Sequence, residues 1–420
     1  MSLRCWLRGL IQASLAAAMA LPLAAAAAAG DPLTDEFQVN TDTAGDQQTP
    51  AVARSASGGF VVVWDSVGED GSLDGIFAQR YDALGHPLGA EFQVNQTGLN
   101  AQFAPAVAMN ASGDFVVAWQ SNGQARSGVD VYVRAYASDG TPRTGEIHVN
   151  DSGRDVAAQV GVGMDGAGNF VVVWLERDLY LGSQLLKLNA IMARRFAADG
   201  TALGKSFSVS ATTADYYRAP AIAMNDSGAY VVTWRSTPRG QIVNGPGGLG
   251  AGVMARRFPP GTGANALTLS FTVNPYDPQT ILDLPRVAID AAGDFVIAWE
   301  GLHLDLTPAG IFARRYNAAA RPQGAAFKVG NAMQRRPAVA MSPAGSFVIA
   351  GHGDGIYAQR YAADGQALGD EIHVNQSTTH NTQFNAGVGV DGTGDFVVVW
   401  QNWLQDGDGR GVFARLYRGP

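Results

Sequence analysis

The chain has 420 residues, 46% of them hydrophobic and 16% charged, with a formal net charge of −8 at pH 7. An acidic surface repels nucleic acid and anionic membranes, so neither is expected as a partner. The single cysteine, Cys5, excludes disulfides and leaves the body of the chain without thiol chemistry.

In chain order, Arg4 and Arg8 form a short basic stretch, Leu10–Leu23 an apolar one, and Ala24–Ala29 a run of small residues. This order is that of a secretory signal peptide. The apolar stretch is nearly long enough for a membrane anchor, but the small residues at its end favour cleavage. The expectation is a signal peptide over residues 1–29 and one domain over 30–420. The mature protein would then be secreted or periplasmic, without membrane insertion, and without the two leader arginines its charge would be about −10.

One sentence is then written seven times. An apolar run, usually ending in Trp, occurs at Phe60–Trp64, Phe115–Trp119, Phe170–Trp174, Tyr230–Trp234, Phe295–Trp299, Phe347–Gly351 and Phe396–Trp400. Successive copies are 55, 55, 60, 65, 52 and 49 residues apart. A period near 50 filled with short apolar segments indicates a propeller or a β-solenoid rather than separate domains. The second unit shows four strand-like segments: Pro105–Met109, Phe115–Trp119, Val131–Tyr136 and Glu146–Asn150. Helical periodicity is absent after the leader, so the chain reads as all-β. FVVVW is apolar at every position, as a strand covered on both faces should be, whereas EFQVN alternates like a strand near solvent.

The fourth segment is out of phase. Its first copy, Glu36–Asn40, precedes every other strand, and the chain ends on Val412–Tyr417 with no copy after it. Pairing these two segments closes a ring and removes two exposed sheet edges. The predicted fold is therefore a seven-bladed β-propeller with four-stranded blades, closed by the N-terminal strand. Turns such as Met109–Phe115 and Ile289–Phe295 carry an Asn or Asp and a Gly suited to a tight reversal. Their spacing, as in Asp290, Gly293 and Trp299, is longer than that of the sialidase Asp-box.

The units EFQVN, PAVAM, Gly-containing turn, FVVVW and ARRY together resemble the repeats of secreted bacterial β-propeller proteins often grouped with hemolysin-type calcium-binding adhesins. The resemblance spans Glu36 to Tyr417. It implies a blade and not an active site, and the glycine- and aspartate-rich nonapeptides of RTX proteins are absent.

Two of the four connections in each unit, EFQVN to PAVAM and FVVVW to ARRY, vary widely in length, and both fall on one face. Loops on a rigid scaffold carry function, so that face is the candidate binding face. Residues that break the repeat there are Glu176, Arg177, Asp178 and Tyr180; Asp215, Tyr216, Tyr217 and Arg218; Glu300, His303 and Asp305; Arg335, Arg336 and His352; and Trp403, Asp406, Asp408 and Arg410. Aromatic rings beside carboxylates and arginines suit sugar recognition. The candidate ligand-binding set is Tyr180, Tyr216, Tyr217, Arg218, His352, Trp403 and Arg410. Catalysis would need two carboxylates about 5–10 Å apart, for which Glu176, Glu300 and Asp305 are candidates, with His303 as an acid or base. Calcium is a further possibility, through Asp70 and Asp74 or through Asp406 and Asp408, although neither loop has a full EF-hand pattern. No cofactor is otherwise expected.

The arginine pairs Arg194–Arg195, Arg256–Arg257 and Arg314–Arg315 share a strand with Arg80, Arg134, Arg360 and Arg415. Neighbouring strand residues point to opposite faces, so each pair is read as an inter-blade ion-pair device rather than a patch. The resulting expectation is an exported, monomeric, non-catalytic module that binds a surface glycan or an extracellular protein. The alternative is a polysaccharide-active enzyme with its site over the central channel.

Overall fold

The computed structural model describes residues 28–125, 128–150, 156–177, 189–210, 215–238, 252–263, 269–274, 280–377 and 383–419. It is a seven-bladed β-propeller. Each blade is an antiparallel sheet of four strands, and the inner strands, such as Gln47–Arg54 and Gln102–Met109, pack against one another around the axis. The N-terminal strand Phe37–Gln38 pairs with Arg410–Tyr417, Phe37 opposite Ala414, and completes blade 7.

The apolar second strand is buried on both faces. Phe60, Val62 and Trp64 enter the cluster shared with blade 7, while Val61 and Val63 enter the one shared with blade 2. Repetition of this alternation gives seven apolar clusters, one between each pair of neighbouring blades. Every blade also carries a stacked pair of rings at the start of its second strand and the end of its third, with centroids 4.5–5.0 Å apart, as in Phe60–Tyr81 and Phe396–Tyr417. In blade 6, where Gly351 replaces the tryptophan, Ile311 and the fully buried Met333 occupy the space; a Cβ on Gly351 would lie 2.5 Å from Ile311 Cδ1. The blade is repacked, not hollow.

The arginines of the third strand do bridge blades, through hydrogen bonds to main-chain carbonyls. Arg134, Arg194, Arg256, Arg314 and Arg415 donate from Nη1 to the carbonyls of Val94, Val149, Val209, Val273 and Val374 in the preceding blade, at 2.8–3.2 Å. The next position in the strand points the other way. Arg80 donates to the Ser138 and Asp139 carbonyls, and Arg315 to that of Asp364, in the following blade. Main-chain carbonyls are the acceptors because the outer strand of each blade turns its free edge toward its neighbour.

Candidate functional site at the channel mouth

Each inner strand is kinked near the variable face by one residue of positive φ. These are Thr49, Ala104, Gln159, Ala219, Leu284, Arg336 and Asn385, with φ between 47° and 56°, each within a register shift of its strand pair. Such a bulge takes an N–H out of the ladder, and a buried N–H needs an acceptor. At four of the seven bulges the residue after the tryptophan in the preceding blade supplies it. Ala104 N–H donates to Asp65 at 3.3 Å, Gln159 to Gln120 at 3.2 Å, Arg336 to Glu300 at 2.9 Å and Thr49 to Gln401 at 2.8 Å. Where that position is Leu175, the Gln159 side chain accepts the Ala219 N–H at 2.7 Å instead. Where it is Arg235, its guanidinium donates to Asp283 at 2.9 Å, and Asp283 accepts the Leu284 N–H. The mouth of the channel is thus ringed by polar side chains whose first duty is to hold the bulges.

That duty explains two perturbed carboxyls. Burial pushes Asp65 up to about 7, against the pull of the Thr49 hydroxyl and the Ala104 N–H. Burial likewise raises Glu300, opposed by the Arg336 N–H and the nearby Arg335. Glu300, a catalytic candidate from the sequence, is thus engaged as a bulge acceptor for the next blade. Glu176 is buried one position further along its strand, so it leaves blade 3 on the face opposite to that used by Glu300 in blade 5. Asp305 and His303 lie in an exposed hairpin tip, where Asp305 accepts from the Thr307 N–H and hydroxyl and is held below the usual carboxylate range by those bonds. The proposed carboxylate set does not converge.

Of the ligand-binding candidates, Trp403 and Arg410 come together. They are opposite one another in the ladder, with the Arg410 guanidinium 5.1 Å from the Trp403 ring and 5.7 Å from Phe384. Arg410 is oriented by Gln48 at 2.7 Å and Asp46 at 3.1 Å, and Trp403 remains 37% exposed. Tyr216 and Arg218 are exposed side by side on the inner strand of blade 4. Tyr217, between them, points into the apolar cluster of blades 3 and 4, so it belongs to the core rather than to a ligand site. His352 is half-buried beside Arg335 and Arg336, which with burial press it down to about 4. Tyr180 and Asp178 lie outside the described residues.

The calcium candidates have structural partners. Asp70 accepts the Ser72 N–H at 3.0 Å and sits beneath Gly75, where a Cβ would approach within 2.9 Å. Asp406 accepts from the Asn40 amide at 3.1 Å and Asp408 from the Gly45 N–H at 3.2 Å. Asp74 is raised by burial and by the neighbouring Asp70 and Asp46. Among the described residues no three His, Cys, Asp or Glu side chains are grouped as metal ligands.

The sequence reading missed Phe384, Gln48, Asp46, Asp65 and Arg286. An alignment of the seven inner strands carries the signal for the last. Arg286 stands where the other blades have Ala51, Ala106, Gly161, Ala221, Ala338 and Gly387. Arg54 is a second departure, at the opposite end of the channel, where the other blades have Met109, Met164, Met224, Ile289, Met341 and Val390. It pairs with Asp391 at 3.0 Å beside a cavity of about 180 Å³ lined by Met109, Met224, Ile289 and Met341. A larger cavity of about 500 Å³, lined by Arg195, Lys205 and Phe207, lies off the axis between the outer parts of blades 3 and 4.

No family model and no curated protein matches the chain. Among solved structures, a protein of unknown function from Dyadobacter fermentans aligns with TM-score 0.52 and 12% identity, over 92% of this chain and 98% of its own. An α-L-arabinofuranosidase of Fusarium graminearum, solved with an iminosugar inhibitor, aligns with TM-score 0.48 and 11% identity over 75% of this chain and 92% of its own. The β-propeller domain of the Trilobed protease of Pyrococcus furiosus aligns with TM-score 0.47 and 8% identity over 88% of this chain and 94% of its own. What the Dyadobacter fermentans protein shares with this chain is the fold.

Proposed function

We propose that the protein is an exported, non-catalytic propeller that binds a glycan on its variable face. The supporting observation is the Phe384–Arg410–Trp403 stack, with Asp46 and Gln48 beside it, at the rim of the channel. An indole partly open to solvent offers a flat apolar surface to a sugar ring, and the fixed amide, carboxylate and guanidinium meet its hydroxyls. A non-catalytic role fits the dispersal of Glu176, Glu300 and Asp305 and the structural duties of Asp65 and Glu300. The test is affinity electrophoresis of residues 30–420 in polysaccharide gels, with reducing-end release measured on every polymer that retards the protein. Retardation lost in Trp403→Ala, without release of reducing ends, is the expected result. Turnover would establish an enzyme, and retardation unchanged in Trp403→Ala would remove this site.

A further inference from the structure

In six blades the inner-strand position at the axis is Ala or Gly, and the contacts show why. A Cβ on Gly387 would lie 2.9 Å from Val399 of its own blade, with Val52 of the next blade at 3.6 Å; at Gly161 the corresponding neighbours are Val173 and Ile222 at 3.2 and 3.4 Å. The site is a narrow seam between adjacent inner strands, close to the channel. Arg286 occupies this position in blade 5, whose inner strand packs against that of blade 6.

Its surroundings offset its charge only in part: nearby Asp283 favours the cation, while burial and Arg336 oppose it. No carboxylate among the described residues lies within ion-pairing distance of Arg286. The nearest acid, Asp283, is bound by Arg235 and by the Leu284 N–H. Arg286 donates from Nη1 to the Pro285 carbonyl at 3.0 Å, and Arg336 of the next blade adds a second positive charge nearby. His352 lies in the same group and is held down first by its own burial. Arg335 and Arg336 both disfavour its protonated form, and its buried Nδ1 has no hydrogen-bond partner. On a chain of formal net charge −8, three arginines (Arg286, Arg335 and Arg336) thus gather around two acids, Asp283 and Glu300.

We infer that the glycan carries an anionic group, a carboxylate or a sulfate, seated at the channel mouth between blades 5 and 6 against Arg286 and Arg336. A guanidinium presents a planar fork of donors that matches either oxyanion. The repelling net charge would keep acidic polymers from binding elsewhere, so selectivity rests on this seam. The inference depends on the glycan-binding reading.

The test is titration of residues 30–420 with polygalacturonate, its methyl ester, dextran sulfate and dextran at 150 mM NaCl, in wild type, Arg286→Ala and Trp403→Ala. Arg286→Ala restores the residue of the other blades, so folding is retained, as a thermal melt would verify. The expected result is binding to at least one acidic polymer, tenfold or more weaker in Arg286→Ala, with Arg286→Lys between the two. Preference for polygalacturonate over its ester assigns a carboxylate; preference for dextran sulfate alone assigns a sulfate. Equal binding of charged and neutral polymers, or acidic binding indifferent to Arg286, overturns the inference. If neutral polymers bind in a Trp403-dependent way and acidic ones do not, the glycan reading survives and this inference falls. If none of the four binds, the inference is overturned and the glycan reading loses its support with it.

Discussion

Asp65 and Arg286 show how much a single position in a repeat can carry. Asp65 occupies the slot that Gln120 and Gln401 fill in other blades, but it is an acid, and burial lifts it to about 7. A carboxyl raised on folding binds a proton that the unfolded chain, at its ordinary value near 4, has already lost. Its effect on stability is therefore neutral below about pH 4 and increasingly unfavourable as pH rises through 7. Asp65→Asn keeps the acceptor for Ala104 and removes the charge. Urea denaturation at pH 5 and pH 8 should show a wild-type loss of stability at the higher pH that the variant lacks. Equal pH dependence in both would contradict the assignment. Arg286 is a charge without an ion-pair partner in a narrow seam, and such burial is costly. Arg286→Ala should therefore raise the melting temperature while weakening the acidic ligand. A lower melting temperature would mean that the guanidinium serves packing.

At the scale of the strand, the outer segment shows where sequence and structure part. The motif EFQVN spans five residues, yet only Phe92 and Gln93 form regular ladder pairs. Val94 still donates to the Ile76 carbonyl, and then the Asn95 side chain takes over from the main chain, accepting the Ile76 N–H at 2.7 Å. Asn40, Asn150, Asn274 and Asn375 do the same, and Ser210 substitutes in blade 3. Blade 5 has Gly330 at this position and instead extends its outer strand to Phe327–Val329. Asn95→Ala leaves a buried N–H without its acceptor and should cost about 1–3 kcal/mol in urea denaturation. Strand number, order and the two-sided burial of FVVVW were legible because apolar periodicity reports burial directly. The site was not. Which inner-strand residue meets the axis depends on a bulge at a positive φ that Thr, Ala, Gln, Leu, Arg and Asn all occupy, so no residue type announces it. Arg286 departs from the Ala or Gly of the other copies, but nothing in the sequence says where that position lies in the fold, and Tyr217 looks like a ligand residue when it is core.

The whole molecule depends on its closing seam. Between blades 7 and 1 the repeat contacts recur, with the Tyr81 hydroxyl donating to the Val39 carbonyl as Tyr136 does to Val94. The seam adds buried Arg54–Asp391 on one face and Arg410–Asp46 on the other, so the C-terminal strands of blade 7 are tied to the N-terminal part of the chain at both ends of the channel. Removal of residues through Asn40 would strip the outer strand from blade 7 and expose the edge of Arg410–Tyr417. The truncated protein should melt at a lower temperature and self-associate in sedimentation experiments; an unchanged monomer would contradict the role given to the N-terminal strand. The same geometry divides the molecule into two functional faces, one with uniform turns and one with variable loops, and the central claim is that the second recognises a glycan. The most direct measurement is a glycan array probed with residues 30–420 in three forms: wild type, Trp403→Ala on the variable face, and Leu84→Arg at an exposed turn on the uniform face. The account predicts hits shared by wild type and Leu84→Arg and lost in Trp403→Ala. A blank array, or hits indifferent to Trp403, would contradict it.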